Sequence, residues 1–191
     1  MQRGGILMIR HAELKDIIPI KEIYNDAILH TTSIYTYDAY TDEDQIEWYL
    51  QRMKQGYPVF VWEEDNQVAG FSTYSSFRSK PAYQYTVENS IYVNRNFRGR
   101  GIARTLLQRL IIHAESQGFA TMVAAIDSCN TASIRLHEGL GFKRSGIIQR
   151  AGYKFGRWLD MTFYQRALES PVLPENSSPA DKNIFPDQPW K

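Results

Sequence analysis

The chain has 191 residues, 43% of them hydrophobic, and its 22 Lys and Arg against 21 Asp and Glu leave a net charge of +1. That is enough for one domain with a sizeable core, and the balanced charge argues against a whole-chain nucleic-acid binder. A single cysteine, Cys129, excludes an internal disulfide framework and any multi-cysteine metal site, and fits a reducing compartment.

Two hydrophobic periods alternate along the chain. Met8 to Glu13 reads as a short strand. Asp16 reads as the cap of a helix whose apolar face is Ile17, Ile20, Tyr24, Ala27 and Ile28. A second helix spans about Asp42 to Gln55 and stops at Gly56. Strand-like runs follow at Pro58 to Glu63, Val68 to Ser75 and Gln84 to Val93, with Asp65-Asn66 as the turn between the first two. The strongest helix comes next. It carries Ile102, Leu106, Leu107, Leu110, Ile111 and Ala114 on one side and Gly118 as its stop. A strand (Thr121 to Ile126), a short helix (Thr131 to Glu138) and strands around Phe142 to Arg150 and Trp158 to Tyr164 close the body. Helices and strands in this order predict an α/β or α+β sandwich with the sheet in the middle.

Prolines mark the edge of the domain. Five of the eight (Pro171, Pro174, Pro179, Pro186, Pro189) fall in the last 21 residues, without a glycine. Residues 1–170 are therefore expected to form one domain. Residues 171–191 read as an extended appendage laid across the body or a partner subunit, with Phe185 and Trp190 as anchors. No apolar run approaches the ~20 residues that cross a bilayer. The stretch Ile6 to Ile9 is too short for a secretory signal, so a cytoplasmic protein is expected.

The sharpest local signal is Arg98-Gly99-Arg100-Gly101-Ile102-Ala103-Arg104, between a strong strand and the strongest helix. A helix start offers free N–H groups and the positive end of the helix dipole, and glycines let a ligand approach the backbone. With Arg95, the arginines concentrate positive charge there, and the whole reads as a pyrophosphate cradle. It is neither a P-loop nor a dinucleotide fingerprint, because the required Gly-Lys and third glycine are missing. A solvated glycine loop is the plainer alternative.

The Arg-x-x-Gly-x-Ala run from Arg98 to Ala103 resembles the acyl-CoA loop of the GNAT-superfamily N-acetyltransferases. Thr86 to Val93, Asn130 to Phe142 and Gly152 to Asp160 are similar to its phosphinothricin/methionine sulfoximine acetyltransferase branch. The resemblance spans roughly Met8 to Leu168. It implies a GNAT-type fold with a mixed, mostly antiparallel twisted sheet flanked by helices. It also implies direct acetyl transfer from acetyl-CoA to the primary amine of a small amino-acid-like acceptor, in a ternary complex. His11, His30 and His113 have no metal-ligand spacing with His137, so no metal is expected.

By the same resemblance Ile91, Tyr92 and Val93 splay from the neighbouring strand and pair with the pantetheine arm, the Val93 N–H facing the thioester carbonyl. Asn130 and Ser133 would hold the cofactor from the other side. Glu88 is the candidate base: a carboxylate in such a strand is costly if buried, and its pKa then rises toward what a base near neutral pH needs. Alternatively, it pairs with Arg78. His137 stands where many GNAT enzymes carry the tyrosine that protonates the thiolate; the alternative is a solvated surface histidine. Cys129 lacks a His–carboxylate relay and is expected to be a bystander.

Arg78, Ser79, Lys80 and Tyr83 match the place where the branch binds its substrate's acidic end, and Arg78 can grip a carboxylate or phosphinate in bidentate fashion. The loop Thr32 to Tyr37 would close over the acceptor's side chain. Acetylation of protein N-termini or polyamines, and a non-catalytic acyl-CoA sensor, are the competing readings. A homodimer is expected from the branch.

Overall fold

A computed structural model describes residues 7–169; the proline-rich segment with Phe185 and Trp190 lies outside them. Seven strands form one sheet in the order β1-β2-β3-β4-β5-β7-β6. The first four, β1 (Leu7–His11), β2 (Val59–Glu64), β3 (Gln67–Ser76) and β4 (Thr86–Val93), are antiparallel to one another in that order. Helices α1 (Ile17–His30) and α2 (Asp42–Lys54) intervene between β1 and β2. Helix α3 (Ile102–Ser116) then crosses over to β5 (Thr121–Asp127), the one strand parallel to its neighbour. Helix α4 (Thr131–Glu138) precedes the long antiparallel pair β6 (Lys143–Lys154) and β7 (Arg157–Ala167).

Both faces of the sheet are covered. On one side Ile102, Leu106, Leu107, Leu110 and Ala114 of α3 pack on Phe60, Tyr74, Val87 and Met122. On the other, Ile17, Ile20 and Ile23 of α1 and Tyr49 of α2 pack on Val59, Val61 and Phe71. This is why β2 reads as a continuous apolar run: Val59 and Val61 serve one layer and Phe60 the other. Asp65 and Asn66, both with positive φ (51° and 61°), make the two-residue turn from β2 to β3.

One local expectation is corrected. Asp16 precedes α1 but makes no side-chain cap bond to it. Its buried carboxylate instead accepts from the Arg10 guanidinium (2.6 and 2.8 Å) and from the Glu13 amide (2.7 Å). A charge-assisted pair with arginine holds a buried carboxylate better than helix N–H groups do.

Candidate functional site

The sheet forks. β4 pairs with β5 only over Thr86–Glu88 against Thr121–Val123, while β5 stays registered on β7 to its last residue and β4 stays on β3. Beyond Glu88 the two strands part. Backbone polar groups of successive strand residues point to opposite edges. The Asn94 amide donates to Ala69 on β3 (2.9 Å) and the Thr86 carbonyl accepts from Phe77 (3.2 Å), so even-numbered residues of β4 serve β3. Past the last paired residues, the backbone groups of Ile91 and Val93 therefore face the open fork. They are strand hydrogen-bonding groups with no partner strand.

The root of the fork is tied by a buried polar chain. The Asn89 amide donates to the Val123 carbonyl (3.0 Å), and the Asn89 Oδ1 lies 3.1 Å from Nε2 of His137 on α4. His137 Nδ1 sits 2.8 Å from the Ser133 carbonyl. His137 is 3% exposed, which rules out the surface-histidine reading. Both its neighbours are acceptors, so an imidazolium would satisfy each, whereas burial pulls its pKa down. Asn89 escaped sequence reasoning, although an amide on the strand face it shares with Val87, Ile91 and Val93 was the available signal.

A cleft of about 880 Å³ runs along the fork. At one end it is lined by Arg98, Gly99, Gly101, Ile102, Ala103 and Arg104, where α3 begins. Gly99 and Gly101 have φ of 78° and 80°, a backbone that side chains rarely adopt, and a Cβ on either would meet nothing within 4 Å. Gly101 at the cap position supplies no side-chain bond to the first amides of α3, which stay available to an anion. Arg98 lines this end and donates from Nε to the Val93 carbonyl (3.2 Å). Arg100 does not line it; its guanidinium pairs with Glu64 (2.9 Å) and lies over the Phe97 ring. Arg95 is turned to Asp26 on α1 (2.6 Å).

The middle of the cleft holds Glu88, Ser90, Ile91, Tyr92 and Val93 from β4, and Asn130, Ser133 and His137 from α4. Burial raises the Glu88 pKa, with Arg78 pulling the other way. Among the described residues no ion pair reaches Glu88, so pairing with Arg78 is only an attraction at a distance. Asn130 caps α4, its Oδ1 accepting from the Ser133 amide (3.1 Å).

Thr32, Ser33 and Tyr35 from the α1–α2 loop, Phe155 from the turn after β6 and Arg157 at the start of β7 complete the wall. Arg78, Ser79, Lys80 and Tyr83 do not line the cleft. They sit on the exposed segment between β3 and β4, with Arg78 stacked over Phe77 at 4.7 Å. Cys129 is exposed at the cleft's edge.

Residues 20–142 match the acetyltransferase (GNAT) family. The chain is 43% identical over 169 residues to an L-methionine sulfoximine/L-methionine sulfone acetyltransferase of Salmonella typhimurium, covering 88% of this chain and 99% of that protein. It is 35% identical over 171 residues to a phosphinothricin N-acetyltransferase of Streptomyces viridochromogenes, covering 90% and 93%. Its fold superposes with a TM-score of 0.87 on a putative acetyltransferase from Salmonella typhimurium solved with its cofactor acetyl-CoA. That pair is 42% identical, covering 90% of this chain and 99% of the other.

Proposed function

The chain belongs to the GNAT acetyltransferase family, and from that premise we propose that it moves an acetyl group from acetyl-CoA to the primary amine of a small amino-acid-like acceptor. Methionine sulfoximine, methionine sulfone and phosphinothricin are the acceptor types, because relatives that share nearly the whole chain carry those names. The observation that carries the reading is the fork between β4 and β5. It presents unpaired strand backbone beside an anion-binding helix start, with a desolvated carboxylate at its root.

In this reading the pyrophosphate lies on the α3 amides and Arg98, and the pantetheine arm takes the place of the missing strand partner along Ile91 to Val93. Asn130 and Ser133 close the other side. Glu88 takes a proton from the acceptor's ammonium, directly or through one water. The free amine attacks the thioester carbon while the Val93 N–H, already in place, stabilises charge on the carbonyl oxygen. The C–S bond then breaks, and the second proton, shed by the attacking nitrogen, passes to the departing thiolate with His137 as the relay. Arg78, with Lys80 beside it, draws the acceptor's acidic end toward the cleft. Arg78 is the basic group whose field Glu88 feels.

The enzyme works as a homodimer, a reading supported by the exposed apolar residues of the β6 edge. A cytoplasmic location is supported by the lone cysteine, which leaves no internal disulfide to protect.

The test is release of CoA thiol from acetyl-CoA with methionine sulfoximine, methionine sulfone, phosphinothricin, a Met-starting peptide and spermidine. Turnover confined to the amino-acid analogues is expected, and Glu88→Gln should cut it by roughly 10²-fold or more while acetyl-CoA still binds. Equal loss of binding and turnover would make Glu88 structural. Tight acetyl-CoA binding with no turnover on any amine would leave a sensor.

A further inference from the structure

Lys154 ends β6 buried, only 4% exposed, and, among the described residues, without a carboxylate partner. An ammonium taken out of water is tolerated only when its donors are satisfied. Here three donors meet three carbonyls: Ile28 (2.6 Å), Ile34 (2.7 Å) and Thr31 (3.1 Å). Ile28 lies in the last turn of α1, where carbonyls lack helical partners and the dipole is negative. Thr31 and Ile34 belong to the chain as it leaves that helix. One side chain thus caps α1 and holds the loop that follows it.

Other fasteners converge on the same loop. The Tyr37 hydroxyl donates to the Tyr153 carbonyl (2.7 Å). The Tyr35 ring lies so close to Gly152 that a Cβ there would stand 2.5 Å from it. From the opposite side the Thr32 hydroxyl donates to the buried Asp127 carboxylate. The faces turned inward, Thr32, Ser33 and Tyr35, line the cleft.

We propose that Lys154 is a positioning residue, whose ammonium sets the shape of the acceptor wall by fixing the Thr31 to Tyr37 loop against the β6–β7 hairpin. It rests on the acetyl-transfer reading in one respect, that this wall faces the amine. The α1 and α2 packing on the sheet is separate from it, since Ile17, Ile20, Ile23 and Tyr49 bury themselves on Val59, Val61 and Phe71. The Gly99 to Arg104 cradle is separate too. Losing the pin should therefore be felt by the acceptor and not by acetyl-CoA.

The test uses Lys154→Met, which keeps the apolar stem and removes the donors, and Gly152→Ala, which pushes the Tyr35 ring by one methyl. Lys154→Met is expected to raise KM for the amine about tenfold or more with the Kd for acetyl-CoA within about twofold, and to speed hydrogen exchange of the 31–37 amides. Gly152→Ala should raise the same KM by roughly threefold. Parallel changes in amine KM and acetyl-CoA Kd, or a folded Lys154→Met with neither changed, would overturn the proposal. If Lys154→Met does not fold, an unchanged amine KM in Gly152→Ala overturns it. A wild-type protein silent on every amine sinks the acetyl-transfer reading instead, and hydrogen exchange in the 31–37 segment then decides the pin alone.

Discussion

Glu88 stands on a strand between the buried Val87 and Asn89, and desolvation raises its pKa above the ordinary glutamate value while Arg78 lowers it in part. Two consequences follow with definite signs. A base must be unprotonated, so kcat/KM should fall as pH drops through this raised pKa, above the usual glutamate value of about 4.3. For stability the sign reverses: the folded state binds this proton more tightly than the unfolded state. The group's contribution is present below the unfolded value and lost as pH rises through the folded one. At neutral pH the buried charge is a cost, so Glu88→Gln should unfold at the same or a higher temperature than the parent while losing turnover. A pH–rate profile between about pH 5 and 9 and a thermal melt check both halves. A lowered Tm would show instead that the carboxylate holds the strand together.

The start of α3 is where an element, more than a residue, makes the binding site. Two left-handed glycines turn the chain so that the first amides of the helix face the cleft. The arginines around them are not equivalent. Arg98 lines the cleft, whereas Arg100 spends its charge on Glu64 and its plane on Phe97. Arg98→Ala should therefore weaken acetyl-CoA about fivefold at low salt and less as salt screens the attraction, with Arg100→Ala within about twofold. Calorimetric titration at two ionic strengths measures this; equal effects of the two would mean that Arg100 leaves Glu64 to reach the phosphates. The helix itself was legible from sequence, because its apolar stripe is strictly periodic and Gly118, with φ of 81°, ends it where expected. So was α4, whose bounds Thr131 and Glu138 match the reading. The hold on the acceptor loop was not legible, since Lys154 meets carbonyls 120 to 126 positions away and no local pattern encodes that. The burial of His137 was hidden for the same reason: it depends on Asn89, 48 positions earlier, meeting it across the fork.

At the scale of the molecule, the sheet has two edges with different characters. β1 carries Arg10, committed to Asp16 and Glu63. β6, at the other edge, is exposed along almost its whole length, with Ile147, Ile148 and Tyr153 on it and Trp158 opposite on β7. A long edge strand with apolar side chains invites pairing, and a two-fold interface would let the same strand meet its copy. In the homodimer proposed above, Ile148→Lys should consequently shift the protein toward monomer in light scattering. The Kd for acetyl-CoA should be unchanged, because β7 and β5 stand between β6 and the fork. An exposed substitution costs the fold little, so a folded Ile148→Lys protein that stays dimeric would move the seam off this edge. Removing residues 171–191 gives the complementary reading: loss of the dimer in that variant would assign the seam to the proline-rich segment. The same β6–β7 hairpin carries Lys154 and Gly152, so pairing along β6 would brace the strand that sets the acceptor wall. The monomeric variant should then show a raised KM for the amine while its affinity for acetyl-CoA stays at the parent value.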